Sequence, residues 1–136
     1  MGETKINLMG EDLMNADFKG CDLKNADLSF TNLTGADFTG ADLENAKLQG
    51  SILENTVFAG SNLKDTDFTY TILEKTDFRG SNVNEAFFKG ANIEDAIIDD
   101  NAQLNKAGKY DPRIIKDNGV YTFNENFLRQ VNEYFN

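Results

Sequence analysis

The side chains of this sequence best suited to chemistry are carboxylates that recur at multiples of five residues. Eight aspartates share this spacing, namely Asp12, Asp17, Asp22, Asp27, Asp37, Asp42, Asp67 and Asp77. Carboxylates in such numbers could form general acid/base pairs, bind a metal ion or present a polyanionic surface. The sequence has no histidine and one cysteine, so histidine-dependent catalysis and a disulfide framework are both excluded.

The charge balance also limits the classes of partner. The net charge is −10, and residues 1–100 contain 19 acidic and 8 basic residues, so the acidity belongs to this part of the chain. We expect no direct nucleic-acid binding, because phosphate contacts need lysine and arginine. No signal peptide and no membrane-spanning stretch is evident, so we expect a cytoplasmic protein without a membrane partner.

A five-residue period organises the chain from Ile6 to Asp100. Every fifth residue from Leu8 to Ile98 is large and apolar, and the residue two positions earlier is small from Ala16 to Ala96. One unit before Ala16, the same position holds Glu11, which is not small. Residues two apart in an extended segment point to the same side, so the large and small residues face inward and the residue between them faces outward. Eight units end in glycine, which permits the positive φ of a tight turn.

Units such as Ala16-Asp17-Phe18-Lys19-Gly20 fit the pattern A(D/N)LXX, which resembles the pentapeptide-repeat proteins. This resemblance implies an all-β solenoid, a right-handed quadrilateral β-helix with four units in each coil and about five coils over residues 6–100, preceded by a short tail at 1–5. Residues twenty apart should then stack. Phe18, Phe38, Phe58 and Phe78 fall on one face, with Phe68 and Phe88 opposite, around an interior without room for a ligand.

The register ends after Asp100, and residues 101–136 are expected to cap the C-terminal end of the solenoid. Asp117-Asn118-Gly119 lies between two apolar pairs and predicts a tight turn, as in a small hairpin. A helix is predicted at about 123–135, with an apolar stripe of Phe127, Leu128, Val131, Tyr134 and Phe135. This helix either caps its own rod or forms a homodimer contact, and the sequence leaves both open.

Because the aspartates occupy the outward position, a convex rod offers them no cleft in which one carboxyl could gain a raised pKa. We therefore predict no catalytic residues, no enzyme activity and no cofactor. Stacked pairs such as Asp17 with Asp37 could attract a cation, but Ca²⁺ requires six or more oxygens from a shaped loop, so no metal site is predicted. Cys21 takes a small inward position and is expected to be buried.

Apolar residues stand at the outward position in five units, at Ile52, Val57, Ile72, Phe87 and Ile97. Phe30 and Tyr70 stand at the turn position where glycine is usual. Together Phe30, Ile52, Tyr70 and Ile72 predict one exposed surface stripe, and such a patch commonly marks an interface. A partner or dimer surface, cover by the C-terminal segment and simple tolerance are three explanations that remain open.

These features favour a non-catalytic protein-interaction module that presents a rigid acidic surface to a protein partner not identified by the sequence. The resemblance suggests an alternative, a DNA-mimicking regulator of a type II topoisomerase or another DNA-binding protein. A third interpretation is a purely structural solenoid.

Overall fold

Successive turns of the repeat lie directly above one another. The computed structural model describes residues 5–91, 95–99, 114–117 and 120–123. Parallel bridges join residues twenty apart, from Asn7 with Asp27 to Asp77 with Ile97. One face shows five layers in sequence, namely Asn7, Asp27, Lys47, Asp67 and Phe87. The repeat is therefore a right-handed quadrilateral β-helix of five layers, as the resemblance seen in the sequence implies.

The corners of the coil are tight turns. At one of them the Ala16 N–H donates to the Leu13 carbonyl at 3.1 Å, and Asn15 between them has a φ of 60°. A four-residue turn with positive φ only at its third residue is a type II turn. Glycine occupies this third position at several corners, including Gly10 in the first unit. The five-residue unit thus combines a short extended segment with one such turn.

The interior is filled by two phenylalanine ladders. The rings of Phe18 and Phe38 stack with centroids 4.9 Å apart, and the same ladder continues through Phe58 to Phe78. Phe68 and Phe88 stack on the opposite face, and Phe68 meets Phe58 edge to face at 5.3 Å. The two ladders therefore touch across the coil from Phe58 to Phe88.

Threonines at the small inward position form hydrogen bonds between successive coils. The Thr56 hydroxyl donates to the Leu33 carbonyl of the preceding coil at 2.7 Å, and Thr76 makes the same contact with Leu53 at 2.7 Å. Both threonines are fully buried. A buried hydroxyl without a partner would be costly, so these bonds explain why threonine can replace alanine at the small inward position.

The turn at Val83–Glu85 departs from the regular pattern expected throughout the repeat. A 3₁₀-helix forms at Val83–Glu85, and the Leu63 N–H donates to Asn82 Oδ1 at 2.6 Å. One coil earlier, the equivalent N–H of Leu43 donates to a backbone carbonyl, that of Asn62. The Asn82 side chain therefore substitutes for the ladder carbonyl, and the backbone after it is released into a tighter helical turn.

The first coil is less buried than the coils above it. Leu8, Leu13 and Phe18 are only partly buried, although they take inward positions. Cys21 is also half-buried, so the expectation of a buried thiol is wrong. Its side chain lies in the terminal layer of the described rod. Inward residues of this layer have a described coil on one side only, whereas residues deeper in the rod have one on both sides.

Two antiparallel strands form the hairpin predicted near Asn118. Strand β1 is Ile114–Asp117 and strand β2 is Val120–Phe123, with Ile114 opposite Phe123. Strand β2 thus includes the first residue of the predicted helix at 123–135. The rest of that helix, with Phe127, Leu128, Val131, Tyr134 and Phe135, lies outside the described residues, as do residues 1–4. No helix in the described part of the chain is long and apolar enough to cross a membrane.

Candidate functional site

The outward aspartates have a local structural role. In each of the eight, Oδ1 accepts the backbone N–H two residues later, at 2.8 to 3.3 Å. Asn7, Asn32 and Asn62 accept the same bond. This Asx-turn contact explains why a short residue with a side-chain oxygen is preferred there. The turn itself requires the oxygen acceptor and does not require the charge.

Four of these aspartates lie close together around one edge of the rod. Asp17 pairs with Asp37 on one face, and Asp22 pairs with Asp42 on the next face. Gly20 and Gly40 form the edge between the two faces, and no atom lies within 4 Å of where their Cβ atoms would be. We call Asp17, Asp22, Asp37 and Asp42 the acidic corner.

Lysines neutralise the acidic corner only in part. Lys19 Nζ lies 3.8 Å from Asp17, and Lys24 Nζ lies 3.7 Å from Asp42. All four of these side chains have substantial solvent exposure, so the ion pairs contribute little to stability. The corner therefore keeps a negative charge over two coils. In the third coil Val57 and Asn62 replace the aspartates, which interrupts both rows.

The protonation properties of the aspartates differ with their surroundings. The Thr39 hydroxyl, which donates to Asp37 at 2.5 Å, lowers the pKa of that carboxyl. The Arg79 guanidinium, 2.7 Å from Asp77, lowers the pKa of Asp77. Burial raises the pKa of Asp67, although the Thr69 backbone N–H opposes that shift.

A raised pKa alone does not make Asp67 a catalytic acid. Its neighbours in the outward row are Lys47 and Phe87, so the row places no second carboxylate beside it. Within the described residues, no group of three or more histidine, cysteine, aspartate or glutamate side chains could hold a metal ion. The one aspartate with a raised pKa thus lies apart from the stacked carboxylate pairs Asp17 with Asp37 and Asp22 with Asp42.

A second edge of the rod carries aromatic residues in place of some glycines. Along this edge Gly10, Phe30, Gly50 and Tyr70 follow one another in successive coils, and Phe30 and Tyr70 have φ values of 55° and 57°. A Cβ added to Gly50 would lie 2.4 Å from two ring carbons of Phe30. The Phe30 ring therefore lies across the glycine turn of the next coil. We call Phe30, Ile52, Tyr70 and Ile72 the aromatic corner.

The structure brings these four residues together, but it does not leave them all exposed. Ile52 and Ile72 pair on the adjoining face, as predicted. Phe30, Ile52 and Tyr70 are half-buried. Ile72 is only 5% exposed, so the expectation of an exposed stripe is wrong at this residue. A shallow depression of 250 Å³ remains beside Phe30 and Ile52, and it is lined by Gly10, Glu11, Asp12, Thr31, Asn32 and Gly50 as well.

The other outward apolar residues do not extend this corner. Val57 is half-buried on a different face, and Phe87 and Ile97 are 39% and 42% exposed in the last described layer. Ile6 and Met14, which the sequence interpretation did not single out, are exposed in the first layer. Ile6 could have been found as a large residue at a position that is small in later units. The exposed large side chains thus lie at the two ends of the rod.

Comparison with known proteins agrees with this geometry. The family model described as pentapeptide repeats matches residues 12–50, 41–80 and 72–107, which together cover more than half of the chain. A search of functionally curated proteins gives no match.

Several solved structures resemble the fold. A pentapeptide repeat protein from the thylakoid lumen of Arabidopsis thaliana is 30% identical, with a TM-score of 0.54, and the match covers 65% of this chain and 65% of that chain. This chain thus spans slightly less than two thirds of that protein. Rfr23 of the cyanobacterium Cyanothece 51142 is 24% identical over 78% of this chain and 85% of that chain, with a TM-score of 0.48.

Full-length QnrB1, a plasmid-mediated fluoroquinolone resistance protein, is 20% identical over 96% of this chain and 85% of that chain, with a TM-score of 0.24. That likeness is too low to support an inference about function. The family match, the five-residue register and the stacked coils lead to one conclusion: the chain belongs to the pentapeptide repeat family.

Proposed function

We propose that the protein is a non-catalytic interaction module that presents the acidic corner to a basic surface of a partner protein. The observation that carries this proposal is the anchoring of each carboxylate at one oxygen. In Asp17, Asp22, Asp37 and Asp42, Oδ1 is held by a backbone N–H of the following turn. The geometry of the charges is thus set before a partner binds.

Such preorganisation favours recognition. A side chain that is already held in one conformation loses less entropy when it forms a contact. The flanking Gly20 and Gly40 present no side chain, so a partner could approach the backbone closely between the two acidic rows. Complementary charge would increase the association rate and select against acidic partners. A lysine- or arginine-rich protein surface is the partner chemistry that fits.

The described faces favour this local contact over mimicry of a long DNA duplex. Duplex DNA has one charge for about every 1.7 Å of its axis. The outward rows through the acidic corner each contain two successive aspartates before Val57 and Asn62 interrupt them. With coils about 4.8 Å apart, the uninterrupted part is short. Mimicry would therefore need a continuation of the acidic rows that these faces do not supply.

The chain offers a matched pair of variants to test the proposal. Changing all four corner aspartates to asparagine removes their charge and keeps the turn acceptor, as Asn7, Asn32 and Asn62 already show. The control changes Asp12, Asp27, Asp67 and Asp77 to asparagine, which removes an equal charge elsewhere. A photoreactive group at exposed Thr39, beside Gly40, would capture partners from native extract.

We expect wild type and the control variant to capture the same basic proteins, with capture decreasing as salt is raised. The corner variant should lose these products while keeping its circular dichroism spectrum. Identical capture by the corner variant would refute the acidic corner as the contact surface. A supercoiling assay tests the alternative, since inhibition of a type II topoisomerase by wild type alone would favour DNA mimicry.

A further inference from the structure

The depression beside Phe30 combines apolar and negatively charged groups. Phe30 and Ile52 supply an aromatic ring and an aliphatic side chain, and Glu11 and Asp12 supply two carboxylates. Both acidic residues are exposed to solvent. The depression lies at the edge that contains Gly10, which is two units from the edge of the acidic corner in a coil of four units. It is therefore a separate surface, on the opposite edge of the rod from the one in the proposed function.

Glu11 breaks the residue pattern of the repeat at the rim of this depression. In the next coil the same position holds Thr31, which is buried and donates its hydroxyl to the Leu28 carbonyl at 2.7 Å. Asp12 Oδ1 accepts the Met14 N–H at 3.3 Å, which leaves Oδ2 as a further acceptor. The ion pairs among the described residues involve neither Glu11 nor Asp12. The rim thus carries two negative charges that no described basic side chain neutralises.

The coil holds the aromatic wall of the depression in place. The Phe30 ring lies across Gly50, where an added Cβ would be 2.4 Å from two ring carbons. The turn that contains Phe30 is bridged by the next coil, because the Thr31 N–H donates to Ser51 Oγ at 3.1 Å and the Ser51 hydroxyl donates to the Leu28 carbonyl at 2.8 Å. A wall that is already ordered loses less entropy when a ligand binds.

We propose that this depression binds an arginine side chain of a partner protein. A guanidinium is planar and weakly hydrated, so it can contact an aromatic ring and pair with a carboxylate in the same site. The methylene stem of the arginine packs against Ile52, and its charged end meets Glu11 and Asp12 at the rim. The charge of the rim selects against acidic occupants. The compact, strongly hydrated ammonium of lysine fits this combination of groups less well.

Titration of the full chain with N-acetyl-arginine methylamide tests this assignment. Methyl NMR follows the δ1 methyl group of Ile52, and the exposed Ile97 on another face reports non-specific binding. We expect a saturable shift at Ile52 and none at Ile97. The citrulline analogue has nearly the same shape without the charge and should give no saturable shift. The lysine analogue should bind about threefold more weakly. Equal binding of either analogue, or no saturable shift with the arginine analogue, would overturn the assignment.

Substitutions that the coil already accepts separate this site from folding. Glu11→Thr introduces the residue type of Thr31 in the same column, and Phe30→Gly introduces that of Gly10 and Gly50 on the same edge. Each should weaken binding of the arginine analogue about threefold at physiological salt. The variant with all four aspartates of the acidic corner changed to asparagine should bind the analogue like wild type, so the two proposals can fail separately. Unchanged binding in Glu11→Thr and Phe30→Gly, or an equal loss in the acidic-corner variant, would contradict the inference.

Discussion

Asp37 is the best residue at which to separate the structural role of the outward aspartates from the role of their charge. Its Oδ1 accepts the Thr39 N–H at 2.9 Å and the Thr39 hydroxyl at 2.5 Å. Alanine removes both bonds, whereas asparagine keeps an oxygen acceptor in nearly the same place. The two variants therefore differ mainly in the turn contact, and asparagine and wild type differ mainly in charge.

The expected magnitudes follow from these contacts. Each hydrogen bond contributes about 0.5–1.5 kcal/mol net, and we use the lower half of this range because Asp37 is close to solvent. Asp37→Ala should then lower the free energy of unfolding by about 1–2 kcal/mol. Asp37→Asn also relieves repulsion with Asp17 in the adjacent coil, so its change should stay within about 0.5 kcal/mol.

Guanidinium denaturation followed by far-ultraviolet circular dichroism measures both free energies at neutral pH. The pKa of Asp37 lies below its ordinary value of 3.8, so its ionised form stabilises the fold above that pH. The advantage of wild type over Asp37→Ala should be lost as the pH falls through the folded-state pKa. If Asp37→Ala is as stable as wild type, the turns do not depend on the Asx bond. The aspartates would then need another explanation.

Three further predictions concern the core, one turn and one titrating group. Phe58→Leu should lower the free energy of unfolding by about 1.5–4 kcal/mol, because Phe58 contacts three rings. Phe18→Leu, at the end of the ladder, should lower it by about a third as much, because Phe18 contacts one ring. Denaturation midpoints of the two variants measure this difference. Gly50→Ala should lower the free energy of unfolding by about 2–3 kcal/mol, because its Cβ would meet an aromatic ring, against about 1 kcal/mol for the unobstructed Gly20→Ala; similar losses would contradict the predicted clash. Burial raises the pKa of Asp67, so ionisation of Asp67 destabilises the fold as the pH rises through that pKa. Asp67→Asn should therefore be more stable than wild type at pH 7. In a series of unfolding measurements at different pH, this difference in stability should vanish below the ordinary pKa of 3.8.

Much of the fold follows from the sequence because each unit repeats the same short residue pattern. Small and large residues two apart must share a side of an extended segment, and a turn-forming residue every five positions bends the chain at regular intervals. The twenty-residue stacking of Phe38 on Phe58 follows from four units in each coil, a number that the resemblance to pentapeptide-repeat proteins implied. The pairing of strands β1 and β2 was likewise predictable, because turn residues between apolar pairs are a strong local signal.

The departures from prediction arise where the environment of a residue depends on distant parts of the chain. The 3₁₀-helix at Val83–Glu85 forms because the Asn82 side chain takes the place of a carbonyl, a choice that the period does not encode. The raised pKa of Asp67 depends on burial, which the aspartates at equivalent positions do not experience to the same extent.

The sequence by itself determined the direction in which each side chain points, because direction depends on residues within one unit. It placed Phe30, Ile52, Tyr70 and Ile72 at one corner, where the structure also has them. Only the tertiary structure decided how much of each residue water can reach. Cys21 points inward and is half-exposed, whereas Ile72 points outward and is buried. Exposure depends on what lies in the next layer or over the face, and a five-residue period carries no information about either.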